Sequence, residues 1–177
     1  MVRNINKVVG MKESGSFLRS IGGAGIKQIM GEAVLAANQA SDGTKLFIQG
    51  GGNSLKHIGV QNTVRSIVDG VQDIYSANNR IAVSVLGLIP RPRENGLYER
   101  ARLRTNQCLR EELGRLKEDK GIEVLFIDVD KCMNLDCFGK DGVHLNWSGN
   151  TILGKIIVEV MINLAKLKRA RSLHNQN

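Results

Sequence analysis

The sequence predicts an α/β layer fold built on a parallel sheet, and three observations carry that expectation. Short β-branched apolar runs alternate with segments of helical periodicity along the chain, the grammar of a doubly wound sheet. One run, RIAVSVLGLI over 80–89, is apolar almost throughout, as in a strand covered on both faces. Glycine-rich turns come after several of the runs, at the carboxyl ends of strands where such folds bind ligands.

Taken in order, SFLRSI over 16–21 reads as a strand that stops at Gly22 and Gly23. IKQIMGEAVLAANQ over 26–39 has helical apolar spacing, and KLFIQ over 45–49 is a compact strand ended by GGGNS. The segment TVRSIVDGVQDIYSAN sets Val64, Ile67, Val68, Val71 and Ile74 on one helical face. After the strand at 80–89, a charged helix runs from Leu97 to Lys117 with Leu103, Leu109, Leu113 and Leu116 as its stripe. IEVLFIDV over 122–129 is the next strand, and the last helix starts near Ser148.

The 177 residues predict one domain over 1–177, large enough for a proper core. Hydrophobic residues at 42% and charged residues at 24% are ordinary globular values that disfavour disorder. The start, MVRNINKVVG, lacks the apolar stretch of a signal peptide. No apolar run reaches the roughly 18 residues needed to cross a bilayer. The nearest, TILGKIIVEVMINLAKLKRA, is interrupted by Lys155, Glu159 and Asn163. A soluble, intracellular and by default cytoplasmic chain is expected. Cys108, Cys132 and Cys137 are too few for a disulfide framework, and no further ligands accompany KCMNLDC. Reduced thiols, no metal and no cofactor are therefore expected.

The formal charge of +8 is the one skewed quantity. Basic residues gather in RPRENGLYERARLR and in a tail at about 166–177 that begins KLKRARSLH. Such clusters can neutralise phosphates, and they equally suit a solvated helix face. One Trp and two Tyr exclude an aromatic platform for stacking single-stranded bases.

Three loops carry candidate chemistry. GGAGIKQI sets Gly22, Gly23 and Gly25 before a helix, leaving peptide N–H groups free to face an anion. It matches neither G-x-G-x-x-G nor a P-loop. GGGNS supplies the carboxamide of Asn53, a donor for a developing oxyanion. DGVHLN supplies Asp141 and His144, an orienter and a base. Each loop alone also fits a plain turn. Together they succeed strand ends in an order that an acyl-transfer site can use.

At these residues the sequence resembles the SGNH, or GDSL-like, hydrolase superfamily. Gly23 fits its block-two glycine, Gly51-Gly52-Asn53-Ser54 its G-x-N-D block with Ser54 in place of Asp, and Asp141-Gly142-Val143-His144 its D-x-x-H block. VSVLGLIPRPR looks like the family's central strand and its adjoining loop. The resemblance implies a three-layer α/β sandwich with a parallel, flavodoxin-like sheet, and hydrolysis of a small acyl-ester substrate. It makes His144 the general base, Asp141 its orienter, and Gly23 with Asn53 the oxyanion hole. The basic, Gly-Gly-Asn-Ser variety is also similar to the esterase-like domains of LINE-type retrotransposon proteins, which work alongside RNA.

The family's nucleophile lies in a G-D-S block at the end of the first strand, and no G-D-S occurs here. Aligning VVGMKES with that block would put Lys12 at the serine position, but leaves only ten residues before Gly23. MVRNINKVV matches better as the segment immediately after the serine, so the chain reads as truncated at its amino end, with the first strand missing or supplied otherwise. Ser14 and Ser16 lie in a polar connection at the wrong end of their strand, and Ser54 holds the place of a structural Asp. The nucleophile is thus unassigned. A sheet without that strand has two unpaired edges, which predicts closure of the gap, a strand from another chain through strand exchange or a homo-oligomer, or a longer parent protein.

Three readings result: a serine-esterase domain, impaired or inactive as it stands for want of its serine; a non-catalytic module binding nucleic acid or an anionic surface; and a pseudoenzyme scaffold that retains only the rim. On the second, affinity falls steeply with added salt and truncation after Lys166 removes much of it. Binding that barely responds to salt excludes it.

Overall fold

A computed structural model describes residues 19–174, with side chains to residue 166. Four α-helices and three strands alternate: α1 (Ile26–Gln39), β1 (Lys45–Gln49), α2 (Gly52–Ala77), β2 (Ala82–Leu86), α3 (Gly96–Lys120), β3 (Val124–Ile127) and α4 (Trp147–His174). Two 3₁₀ turns, Asp130–Cys132 and Leu135–Cys137, join β3 to the loop before α4. The strands form one parallel sheet in the order β1-β2-β3. Lys45 pairs with Ala82 through to Gln49 with Leu86, and Val83 with Val124 through to Leu86 with Ile127.

Helices α1, α2 and α3 cover one face and α4 the other. Strand alternation divides the core accordingly. Val83, Val85, Ile48 and Val124 pack with Ile26, Ile67, Val71, Ile74, Leu109 and Leu113. Leu86 and Ile127 pack with Val129, Cys137, Phe138, Leu153 and Ile157 on the opposite side. Every residue of the central strand is buried, whereas β1 is half-buried except at Ile48. Parallel strands need helices on both faces, and this chain supplies them.

The helix at 26–39 and the strand at 45–49 have the bounds that their apolar spacing predicts. Elsewhere the structure corrects the expectation. α2 begins at Gly52 and runs through a break at Gly59, whose φ of 72° and ψ of −178° are not helical. Asn53 therefore stands in the first turn of a helix rather than in a free turn. Leu103 is 47% exposed, because six residues separate it from Leu109 and place it about 240° away around the helix. Arg102 takes the inward position instead, with Thr105 and Asn106. The expected strand at 16–21 lies partly outside the described residues, and its described part, Arg19 to Ile21, joins no sheet. The backbone stays helical through most of the basic tail, to His174. Among the described residues, no helix is long and apolar enough to cross a membrane. The three cysteines are free thiols.

Arg102 is the largest fully buried side chain, 2% exposed. Its Nε and Nη2 donate to Glu99 at 2.9 and 2.6 Å, and its Nη1 to the Leu88 carbonyl at 2.8 Å and to Asp130. One guanidinium thereby ties α3 to the loops beyond β2 and β3. Replacing it with Met keeps much of the volume but leaves Asp130 without that donor and the Leu88 carbonyl with one fewer. Arg102→Met should cost about 2 kcal/mol, lowering the thermal midpoint by about 4–8 °C. A circular-dichroism melt unchanged by the substitution would show that the tie carries no stability.

Candidate active site

The loop DGVHLN is built by its own backbone and by two asparagines. Phe138 and Leu145 form an antiparallel bridge, the Gly139 N–H donates to the His144 carbonyl at 2.8 Å, and the Gly142 N–H to the Gly139 carbonyl at 2.9 Å. Gly142 has φ of 61°, the left-handed conformation such a tight reversal needs. Asn146 then locks the loop to α4. Its Nδ2 donates to the Asp136 and Phe138 carbonyls at 2.7 and 2.9 Å, while its Oδ1 accepts from the Gly149 N–H at 3.0 Å, an N-cap. Asn150, which is buried, donates to the Leu145 and Asn146 carbonyls. Gly149 lets the helix start close on the chain: a Cβ there would collide with the Cys137 carbonyl.

This scaffold sets the Asp141–His144 pair. The Val143 and His144 N–H groups donate to Asp141 Oδ1 at 2.9 and 3.0 Å. His144 Nδ1 lies 2.5 Å from Asp141 Oδ2. The imidazole bond, followed by the two peptide bonds, holds the Asp141 carboxyl well below its usual range. The carboxylate can then only accept, so the proton sits on Nδ1 and leaves Nε2 as a free base site. Both side chains are about half exposed.

Asn53 is oriented from the opposite wall. Arg91, on the loop after β2, donates from Nη2 to Asn53 Oδ1 at 2.6 Å. A guanidinium has no acceptor, so the oxygen faces Arg91 and the NH2 faces away. Among the described residues that NH2 makes only a long contact of 3.4 Å, with the Ala24 carbonyl, which leaves one N–H for a ligand. Arg91 is steadied over the Tyr98 ring, 5.4 Å from its centroid, and Gly52 leaves room for both. The loop itself is held at Leu88, whose N–H and carbonyl both bond to the buried Asn106 side chain, at 2.7 and 3.1 Å.

Gly23 has φ of 72° and open space where a Cβ would stand. Among the described residues its N–H makes no backbone hydrogen bond. Ser54 is a structural group: its Oγ accepts from the Ile26 N–H at 2.7 Å and is buried. It thus caps α1 from α2, as a carboxylate in its place would. Ser14 and Ser16 lie outside the described residues.

Gly23, Asn53, Arg91 and His144 line one groove of about 880 Å³, which continues from this rim down the outer side of β1. The three loops singled out in the sequence do meet. Arg91 escaped that reading because in RPRENG it looks like one more surface charge. Asn146 and Asn150 escaped because an asparagine that bonds backbone carries no periodic signal. An imidazole nitrogen and a peptide N–H that have no partner among the described residues, with an oriented carboxamide on the same groove, can move a proton and stabilise an oxyanion.

No protein-family model and no curated protein matches the chain. Solved structures do. The chain is similar to a family 3 carbohydrate esterase of Clostridium thermocellum (TM-score 0.64, 21% identity, 82% of this chain and 68% of that one). It is similar to a family 3 carbohydrate esterase from Talaromyces cellulolyticus (TM-score 0.65, 17% identity, 93% and 90%). A third is described as a putative platelet activating factor from Streptococcus pneumonia (TM-score 0.60, 19% identity, 88% and 79%). These likenesses show that the chain shares the fold of those structures, an α/β sandwich on a parallel sheet.

Asn146→Ala removes two carbonyl donors and the helix cap together. It should cost about 2 kcal/mol and speed amide exchange at Gly139 and Gly142 far more than in β2. Exchange that rises equally throughout would mean that Asn146 stabilises the domain without specifically holding the His144 loop.

Proposed function

We propose that the domain is built for acyl-ester hydrolysis through a serine hydroxyl, with His144 as general base and acid, Asp141 as its orienter, and Asn53 with the Gly23 amide as oxyanion donors. The observation that carries this reading is His144, held in one tautomer by Asp141 and lining the same groove as an Asn53 whose amide is fixed by Arg91. The likeness to esterases supports the reaction class, and a short acyl ester suits the open rim.

The hydroxyl attacks the ester carbonyl carbon while His144 Nε2 removes its proton. Asp141 keeps Nδ1 protonated and balances the imidazolium that forms. Charge developing on the carbonyl oxygen meets the Asn53 N–H and the Gly23 peptide N–H. When the tetrahedral adduct collapses, His144 returns the proton to the departing alkoxide. Water then repeats the sequence on the acyl-enzyme and regenerates the hydroxyl.

Among the described residues no hydroxyl bonds to His144, so the reaction needs one delivered to Nε2. The G-D-S block implied by the resemblance would do so from the end of a neighbouring strand. The test extends the chain before Met1 by an apolar strand ending in Gly-Asp-Ser and measures release of p-nitrophenol from its acetate ester. Turnover should fall by about 10⁴-fold in Asp141→Asn and at least as far in His144→Ala. In Asn53→Ala it should fall by about 10²–10³-fold. Undiminished turnover in His144→Ala would overturn the assignment of the base.

A further inference from the structure

The basic motif RPRENG after β2 carries two arginines, and the esterase reading uses only one of them, as a prop for Asn53. Arg91 to Glu94 form a tight turn, with the Glu94 N–H donating to the Arg91 carbonyl at 2.8 Å and Pro92 at its second position, where proline is favoured. The turn spans the rim. On one side Arg91 bonds to Asn53 and lies so close to the start of α2 that a Cβ on Gly52 would meet its guanidinium. On the other side the stem of Arg93 covers Gly142, beside the Asp141–His144 pair, in the space that a Cβ there would need.

Charge around this turn is unbalanced. Its own Glu94 pairs with Lys56, Glu99 and Asp130 pair with Arg102, and Asp141 pairs with His144. Among the described residues, neither Arg91 nor Arg93 pairs with a carboxylate, and no acidic residue lines the groove. Two further cations line it, but Arg19 pairs with Glu32 and Lys45 donates to the Met161 carbonyl. The ring under Arg91 does not balance it either, because burial pushes the Tyr98 phenol up and keeps it neutral. Arg91 is half-buried and gives one guanidinium N–H to Asn53. Such a group, with donors to spare, binds a carboxylate or phosphate through short charge-assisted hydrogen bonds.

We propose that Arg91, assisted by Arg93, is the specificity residue of this site and selects an ester that bears a carboxylate or phosphate a short linker away from the scissile carbonyl. Asn53 Nδ2 and Oδ1 belong to one planar carboxamide. A carbonyl oxygen held by the first therefore stands one carboxamide's width from the guanidinium that holds the second. The anion meets Arg91 on the Asn53 side, across the rim from the carboxylate of Asp141, so the two negative groups are kept apart. Anion binding rests on the arginines alone. That an ester carries the anion rests on the esterase reading above.

Binding to the full chain is measured by nuclear magnetic resonance with monomethyl succinate and its neutral counterpart, dimethyl succinate. The anionic ester should bind at least about tenfold more tightly, shift the Arg91 Nε–H and Asn53 NH2 signals, and lose its advantage as salt is added. Arg91→Gln keeps a donor for Asn53 Oδ1 without the charge. It should bring the two esters to equal affinity and leave dimethyl succinate binding as before, while Arg93→Gln should reduce the preference by less. Equal affinities in the unsubstituted chain, or a preference that survives Arg91→Gln, overturn the proposal. So does an Arg91→Gln chain that binds both esters equally weakly, since Arg91 would then serve only to hold Asn53. Competition by acetate and by inorganic phosphate separates the two anions: the stronger competitor identifies the group selected, and displacement by neither overturns the proposal. In the chain extended by the Gly-Asp-Ser strand, kcat/KM should carry the same preference. Preferential binding without turnover there retains the anion site and removes the esterase reading, whereas turnover without preference does the reverse.

Discussion

Parallel strands end in peptide groups that the sheet no longer pairs, and buried groups of that kind must find partners elsewhere. In this domain polar side chains borrowed from helices provide many of them. The Asn106 side chain and Arg102 meet the Leu88 peptide beyond β2. Ser54 meets the first peptide of α1, and Asn146 meets two carbonyls of the loop beyond β3. Each bond satisfies a backbone group and at the same time fixes a loop that faces the groove. These bonds fix the loops of the rim, and the proposed roles of His144 and Asn53 depend on that order.

The two side chains at the centre of the proposed site are oriented by opposite charges. A carboxylate fixes the tautomer of His144 and a guanidinium fixes the amide of Asn53. Arg91 can only donate and ionised Asp141 can only accept, so neither orientation can invert without losing its bond. In both cases the free atom is the useful one: a basic nitrogen on one side and an N–H on the other. The dyad is half exposed, and exposed charges interact weakly because water screens them. Excluding part of that water from the groove would strengthen the same contacts at fixed geometry.

How much of this was legible in the sequence depended on whether a residue's role is local. The bounds of α1 and β1 come from apolar spacing, and both hold. Asp141 and His144 are three residues apart, so their pairing could be read from DGVHLN itself. Arg91 and Asn53 are 38 positions apart and meet only through the fold. Arg102 reads as a surface charge in any one-dimensional pattern, yet three partners from separate segments allow its burial. Leu103 fails for the complementary reason. A stripe counted by residue type rather than by angle admits a leucine on the solvent side.

The edge of β1 bears on the stability of the fold. A sheet edge with apolar neighbours on both faces invites pairing, and proteins usually blunt such edges with charge, proline or a bulge. β1 carries one charge, Lys45, and that ammonium is drawn aside to the Met161 carbonyl at 2.9 Å. No proline interrupts Lys45–Gln49, and its register with β2 advances residue for residue without a bulge. Among the described residues, this lightly defended edge is paired on one side only, and pairing on the other would add to the sheet's stability.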